Sequence, residues 1–443
     1  MSDPKKRNLN DETDDCIPER VNKNTLDSTL PDRRQRHEKH ALHCDMHRLE
    51  RSKFPNFKKP TQLARFSTKL RESEELFKDY PAERDEETSQ ALPQKFSIAL
   101  PYRRTLCEND ETELSEIVLP PSLNSVNFDL NKRFGDQVVK QNDNEFMSLL
   151  IECLVRDNLV GKSDFVCWRG LLTEISATPY DAGGKFDEGM TISVQKIGDT
   201  FYMYKFDTEI TLKKREEMTP HQKKMGYWGM KFESFVSAPI GKEPDFEAVV
   251  NYNKEFVSVV STKLGSHSMI FGGEVDGCDP EDKGWYVELK TTRRMDHPRQ
   301  EYSFRRFKLM KWWLQSFLLG IDRILCGYRD DDGIISRLEW YKISDIPRII
   351  RQDRHTWMPE ACLSYLQTFL DFIKENVTQE YQPYVLRRQA GEKMFEMQHD
   401  VAGEFKFLPL WFINHLVNPA KQSRDVGSDS HQSGDQSNER NDG

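Results

Sequence analysis

Glu274 and Asp276 stand two residues apart in M-I-F-G-G-E-V-D-G, and Glu288 and Lys290 stand two apart in W-Y-V-E-L-K-T-T. Residues two apart on an extended strand share a face. Both segments read as strands, being short, rich in β-branched and aromatic residues, and separated by the polar run C-D-P-E-D-K-G. Paired as a hairpin, they would gather three carboxylates and one ammonium on one patch. Like charges opposed across strands destabilise a sheet. Apolar neighbours such as Ile270, Phe271, Trp285 and Val287 predict partial burial, which raises the cost. A divalent cation that favours oxygen ligands, Mg2+ or Mn2+, would resolve the conflict. The competing reading is a hairpin with ordinary solvated charges.

Other charged residues in apolar settings extend this candidate site. Arg169 lies between Trp168 and Gly170 in D-F-V-C-W-R-G-L-L-T-E-I, where an unpaired guanidinium is not expected. It needs either a core carboxylate or a phosphate to clamp with its planar fork, and the sequence leaves both open. Met225–Val236 reads as a helix despite two glycines, with Gly226, Gly229 and Glu233 on one face. Each helix glycine costs roughly 0.5–1 kcal/mol against alanine. Either that face approaches a strand or a substrate closely, with Glu233 reaching the same site, or the glycines serve helix–sheet packing and Glu233 is exposed. Tyr302–Leu319 is a strong helical pattern with Lys308, Lys311 and Gln315 on its polar stripe. Together with Arg293, Arg294, Arg299, Arg305 and Arg306 it forms the most basic stretch of the globular part, suited to a polyanion or to plain solvation.

The remaining pattern supplies scaffold. A helix is expected over Glu145–Val155, burying Phe146, Leu149, Leu150, Cys153 and Leu154, with Glu145 favouring the helix dipole at its start. T-I-S-V-Q-K-I and T-F-Y-M-Y-K-F form a hairpin about a Gly198-Asp199 turn. A strand L-E-W-Y-K-I, a helix near Cys362–Glu375 and a closing apolar segment F-K-F-L-P-L-W-F-I complete the body.

Hydrophobic residues make up 37% of the 443, low enough to place part of the chain outside any core. The net charge of −9 gives no global attraction for nucleic acid, so binding must use a local patch. No run of about 18 apolar residues and no apolar signal core are present, so a soluble intracellular protein without membrane contact is expected. Eight scattered cysteines, with no C-x-x-C pair, read as reduced thiols. Residues 1–53 are polar and read as a disordered tail, 54–418 as one catalytic domain, and 419–443 as a second disordered tail. Within the first tail, Pro4-Lys5-Lys6-Arg7 gives weak support for a nuclear address, with the cytoplasm as an additional location. His37, His40, His43, Cys44 and His47 would bind zinc only if a helix gathered them; a solvated helix is the plainer reading. The acidic interval Glu72–Thr88 reads as an exposed connection or surface helix.

The acidic residue, eleven intervening residues and E-L-K together resemble the PD-(D/E)xK nuclease signature. Six blocks then resemble one family, the DXO decapping exoribonucleases with their fungal Rai-type pyrophosphohydrolase relatives. They are W-R-G-L-L-T-E-I with T-P-Y, G-M-K-F-E, G-E-V-D, Y-V-E-L-K-T, K-W-W-L-Q-S-F and F-L-P-L-W-F. F-K-K-P-T-Q-L-A-R-F-S extends the likeness, so that it spans about Phe54 to Leu416. The resemblance implies a single mixed α/β domain with a nuclease-like mixed β-sheet core flanked by helices. It implies that Glu233, Glu274, Asp276 and Glu288 hold divalent cations, two per site, with the Leu289 carbonyl as a further ligand. Trp168, Arg169, Gly170, Glu274, Lys290 and Gln315 would contact the RNA 5′ end, and Glu145 falls near a further substrate-contacting glutamate. Lys290 and Arg169 would stabilise charge developing on the phosphate. Val257 departs from the animal pattern, which carries a cysteine near the substrate. The resemblance further implies metal-dependent removal of triphosphate, incompletely methylated or dinucleotide caps, with 5′–3′ shortening of the RNA. Its alternatives are a pyrophosphohydrolase that activates a separate 5′–3′ exoribonuclease, and an inactive RNA-end scaffold. The chain is expected to be a monomer by itself.

Overall fold

The structure, a computed structural model, describes residues 40–70, 104–107, 114–140, 145–282, 284–353 and 356–417. Two mixed sheets carry the chemistry. The larger, of ten strands, runs in the order His40–His43, Met394–His399, Pro383–Arg388, Met190–Ile197, Thr200–Phe206, Phe165–Trp168, His267–Glu274, Phe256–Leu264, Thr61–Leu70 and Arg104–Leu106. The smaller, of seven, runs Phe128–Asp129, Ile334–Lys342, Arg323–Arg329, Tyr286–Arg293, Gly277–Cys278, Glu116–Ile117 and Ser237–Ala238. Phe165–Trp168 is parallel to both its neighbours, and Tyr286–Arg293 is parallel to Arg323–Arg329. The mixed α/β architecture expected from sequence is therefore present.

Parallel neighbours need crossover connections, and helices supply them. Arg169–Asp181 leaves Phe165–Trp168 directly and packs against Leu309–Leu319 and Pro359–Asn376. Leu172, Ile175, Leu314, Leu318, Leu366 and Phe369 fill that interface with no exposed surface. Ser148–Arg156 packs in a second apolar cluster with Val166, Val257 and Ile270, burying Leu149, Leu150, Cys153 and Leu154 as the periodicity predicts. Pro220–Val236 packs Trp228, Phe232 and Phe235 with Val287, Leu289 and Leu325 of the smaller sheet. Seven cysteines are free thiols among the described residues.

Three expectations need correction. Met269–Gly277 and Trp285–Thr292 do not pair as a hairpin. His267–Glu274 bonds to Phe256–Leu264 and Phe165–Trp168 in the larger sheet, and Tyr286–Arg293 belongs to the smaller one. Only the two-residue strand Gly277–Cys278 returns to pair with Val287 and Tyr286. The hydrophobic pattern had no means of distinguishing a local partner from a distant one. Trp285 is 52% exposed, being at the tip of that connection.

The boundary of the body also lies earlier than residue 54. His40–His43 forms the edge of the larger sheet, with His40 opposite Met397 and His43 opposite Met394. Leu42 and Leu49 are buried, and Asp45 caps the short helix Met46–Leu49 through the Arg48 amide at 3.2 Å. Two isolated leucines in a polar run carry no periodicity, so this segment is legible only through its partners. No zinc cluster forms from His40, His43, Cys44 and His47 among the described residues, and His37 lies outside them. The rest of both expected tails, Pro4–Arg7 and Glu72–Thr88 lie outside the described residues.

Candidate active site

The site sits where the chain passes from one sheet to the other. Glu274 is the last residue of His267–Glu274 and lies opposite Val257. Asp276 follows in the link, and Gly277 already belongs to the smaller sheet. Glu288 and Lys290 project from the same face of Tyr286–Arg293. Glu233 comes from the last turns of Pro220–Val236. The hairpin was wrong, but the convergence it was meant to explain is real, because the sheets meet at this crossing.

Hydrogen bonds fix the geometry. The Leu289 amide donates to Asp276 Oδ2 at 2.7 Å. In an extended strand the carbonyl of the same residue points to that side too, so the Leu289 carbonyl also faces Asp276. Lys290 Nζ donates to Glu288 Oε1, and Arg169 Nη1 stands 3.6 Å from Glu288 Oε2. The Arg169 question is thereby answered on the side of a core carboxylate, at a distance that leaves the fork incompletely used. Arg169 Nε and Glu288 Oε2 are both buried without a hydrogen-bond partner. Arg169 Nη1 also donates to the Gln315 carbonyl at 3.4 Å, which brings Gln315 beside the site.

Electrostatics separate the carboxylates into two kinds. Burial pushes Glu274 up to about 8, reinforced by Glu255, Asp276 and Glu288 and opposed by Arg169. Burial and then Glu288 push Asp276 up to about 6, against Lys290, the Leu289 amide and Arg169. Glu233 is raised well above the carboxylate range by burial, then by Asp276 and Glu274. Glu288 is the exception. Burial raises it, but Lys290 and Arg169 outweigh burial and hold it below the usual value. Burial lowers Lys290, yet Glu288 and Asp276 win and keep it a firm cation.

An all-oxygen donor set at high negative density, with an oxygen that accepts no hydrogen bond on a side chain only 2% exposed, fits a hard divalent cation. Among the described residues no three His, Cys, Asp or Glu side chains already stand close enough to hold one ion. Glu233, Glu274 and Asp276 instead border a cavity of about 540 Å³, with Thr68, Lys254 and Glu255 on other parts of its wall.

Trp168, Arg169 and Gly170 form the strand-to-helix turn beside this cluster. Trp168 Nε1 donates to the Phe146 carbonyl at 3.1 Å, and Gly170 is exposed with open space where a side chain would stand. Opposite this turn, a Cβ on Gly272 would fall 2.8 Å from the Trp168 ring, and one on Gly273 would fall 3.1 Å from Arg169 Cβ. Gly272→Ala should therefore destabilise the protein by about 1–3 kcal/mol through overpacking and displace Trp168. Thermal melting and tryptophan fluorescence report both effects, and a variant with wild-type melting and emission would refute the contact.

Glu145 precedes Ser148–Arg156, next to Phe146 at φ +44°. Its carboxylate takes a two-pronged ion pair from Arg104, at 2.7 and 2.5 Å. Arg104 also reaches Glu255 at 2.7 Å, and Lys140 meets Glu255 at 2.9 Å. Sequence reasoning missed Arg104 and Glu255. Neither belongs to a spaced motif, and only the pairing of Thr61–Leu70 with Arg104–Leu106 brings them together. Val257 is buried among apolar side chains, so its own side chain does not enter the site.

A carboxylate pair and an E-x-K strand, set on a mixed sheet beside a helix-borne glutamate, define a nuclease of the PD-(D/E)XK class. The comparisons narrow the class. The family profile described as "RAI1 like PD-(D/E)XK nuclease" matches residues 95–413, and the chain belongs to that family. It is 40% identical over 261 residues to the decapping and exoribonuclease protein of Xenopus laevis, covering 57% of this chain and 64% of that protein. It is 33% identical over 318 residues to the protein of the same name in Homo sapiens, covering 67% and 79%. The fold matches Candida albicans Rai1 in complex with pU5-Mn2+ at a TM-score of 0.68 and 22% identity, over 86% of this chain and 100% of that one. It matches S. pombe Rai1 in complex with 3'-FADP at 0.60 and 24%, over 82% and 100%.

Proposed function

We propose that this chain is a metal-dependent hydrolase of RNA 5′ ends, removing a triphosphate, an incompletely methylated cap or a nicotinamide-adenine dinucleotide cap and then shortening the RNA 5′–3′. The observation that carries the reading is the cluster Glu233, Glu274, Asp276, Glu288 and Lys290 gathered where the two sheets meet, with three of its acids opening onto a cavity. Relatives named decapping and exoribonuclease protein, and a related Rai1 bound to pU5-Mn2+, support it.

Glu233, Glu274, Asp276, Glu288 and the Leu289 carbonyl would hold the cations, which we take to be two Mg2+ or Mn2+ ions. Bound there, such ions polarise a phosphoryl oxygen and lower the pKa of water. Lys290, oriented by Glu288, offers its remaining donors to a phosphoryl oxygen as charge develops. The spare capacity of the Arg169 fork is aimed at the same charge. Gly170 leaves the start of Arg169–Asp181 bare, so a phosphate can approach the free amides of the first helical turn. Gln315 and Trp168 border the same turn, and Glu145 is tied through Arg104 to Glu255 on the cavity wall, which would set it near the substrate.

The test uses 5′-end-labelled RNAs bearing triphosphate, unmethylated cap or dinucleotide cap, each with magnesium, manganese or chelator. Metal-dependent release of the 5′ group is expected, followed by shortening. Release without shortening would favour the second reading, a pyrophosphohydrolase that feeds a separate 5′–3′ exoribonuclease. Binding without release on every end would leave an RNA-end scaffold, against which the presence of every site carboxylate and Lys290 already speaks. We further place the protein in the nucleus on the strength of Pro4-Lys5-Lys6-Arg7. A tagged chain whose distribution ignores replacement of Lys5, Lys6 and Arg7 by alanine would remove that argument. We expect it to act as a monomer, and a sedimentation mass above that of one chain would count against this.

A further inference from the structure

Four carboxylates border the cavity, and Glu255 stands apart from the three assigned to the cations. It immediately precedes the strand Phe256–Leu264, whose Val257 lies opposite Glu274. The Val275 amide donates to the Phe256 carbonyl at 2.9 Å, so this pairing continues past Glu274 toward Asp276. Glu255 therefore shares the face of Val257 and Glu274 and lies about 7 Å farther along the sheet.

The charge of Glu255 is already balanced. Arg104 Nη1 meets one carboxylate oxygen at 2.7 Å, and Lys140 Nζ meets the other at 2.9 Å. Arg104 gives its Nε edge to Glu145, so two acids and two cations close a neutral unit. Burial would raise Glu255, yet Lys140 and Arg104 together hold it below its ordinary value. Glu233, Glu274 and Asp276 are instead all raised, by burial and by one another or Glu288. A further cation is thus called for at those three and not at Glu255.

What Glu255 retains is the capacity to accept. A carboxylate oxygen has two lone-pair sites, and each oxygen here spends one on its ion pair. The backbone beside it is fixed as well. The Glu255 amide donates to Thr68 Oγ1 at 3.1 Å, and its carbonyl accepts from the Thr68 amide at 2.9 Å. A second wall residue, Ser67, lies opposite Phe256 and keeps its Oγ buried with no hydrogen-bond partner. This side of the cavity therefore holds polar capacity that the fold does not consume. A group that accepts and never donates repels phosphate and selects for a donor. In RNA, every nucleotide carries such a donor on its sugar, the 2′ hydroxyl.

On the RNA 5′-end reading above, we propose that Glu255 accepts the 2′ hydroxyl of a nucleotide beside the scissile phosphate and so sets a preference for RNA over DNA. Arg104 and Lys140 fix the carboxylate, charged and in place, before the RNA arrives.

The test uses 5′-triphosphorylated RNAs of about 20 nucleotides, either all-ribose or with a 2′-fluoro group at the first, second or third nucleotide. Fluorine keeps a ribose-like sugar pucker but cannot donate. In wild type, one of the three positions should lower affinity about tenfold, read by fluorescence anisotropy in calcium, and kcat/KM for release of the 5′ group alongside. Glu255→Ala should lose about the same factor on all-ribose RNA and show no further loss on fluorination, as a shared contact requires. Glu255→Gln, which keeps one acceptor oxygen, should fall between. A wild type indifferent to fluorine at all three positions overturns the proposal, and that outcome needs no variant to fold. So does a folded Glu255→Ala that discriminates as wild type does. A wild type that discriminates in binding but releases nothing would sink the hydrolase reading and leave the sugar contact standing. Neither binding nor release on all-ribose RNA would remove both.

Discussion

Glu274→Gln combined with Asp276→Asn should lower hydrolysis of a 5′-triphosphorylated RNA by about three orders of magnitude or more, while raising the melting temperature. The two effects have one cause. Glu274 and Asp276 are half-buried beside Glu255, Glu288 and each other, and that environment drives both upward from the carboxylate range. A fold that keeps like charges together in low dielectric gives up stability for the sake of the site. Neutral isosteres remove the repulsion and preserve the shape, and the Asp276 Oδ2 contact with the Leu289 amide survives if the new amide oxygen takes its place. Steady-state hydrolysis and calorimetry read the two outcomes separately. Activity retained within a few-fold would displace the reaction from this cluster. Lost activity with a lowered melting temperature would show the acids to be structural.

Asp187→Ala should cost about 3–5 kcal/mol of stability, the largest effect expected away from the site. Arg388 forks onto Asp187 at 2.8 and 2.7 Å, with the two side chains 5% and 4% exposed. The amides of Gly183, Gly189 and Gly391 donate to the same carboxylate at 2.8, 3.0 and 2.9 Å. Alanine leaves the buried guanidinium only the Gln389 and Glu392 carbonyls, and takes the acceptor from three amides at once. The pH dependence follows with a definite sign. Burial alone would raise Asp187, but Arg388 and the three amides hold it far below its ordinary value. A carboxyl depressed in the folded state stabilises the protein fully above its unfolded pKa, near 3.9, and that contribution drains away as pH falls further toward the folded value. Denaturant midpoints should therefore fall below about pH 4 in wild type and less steeply in the variant. Parallel curves would refute the assignment.

Much of the site was legible because its signals are local. E-V-D, E-L-K and G-M-K-F-E each carry their acids at spacings that a strand or a helix converts into a common direction, and W-R-G sets an arginine in an apolar run that demands a partner. What failed was pairing. The alternation in Met269–Gly277 and Trp285–Thr292 states that each is a strand, and nothing in it states which neighbour each will take. Arg104 and Glu145, 41 residues apart in sequence, meet only through that undeclared topology. The helix of Glu233 was placed correctly but begun too late. T-P-H-Q is a capping box in which the Thr219 side chain accepts from the Gln222 amide at 3.2 Å, and the Gln222 side chain accepts from the Thr219 amide at 2.8 Å. The edge strand His40–His43 carried no signal at all beyond one buried leucine.

The passage of the chain from the larger sheet to the smaller between Glu274 and Gly277 makes the active site a gauge of how those sheets sit together. Glu274 is carried by one sheet, Glu288 and Lys290 by the other, and Arg169 by a helix that starts from the first. No element holds enough of the set to act alone, so a small slip between the sheets separates donors that a folded-looking protein would still possess. Heat or mild denaturant that loosens this seam should silence the enzyme while circular dichroism still reads native, and RNA lying across the seam would tie the halves shut.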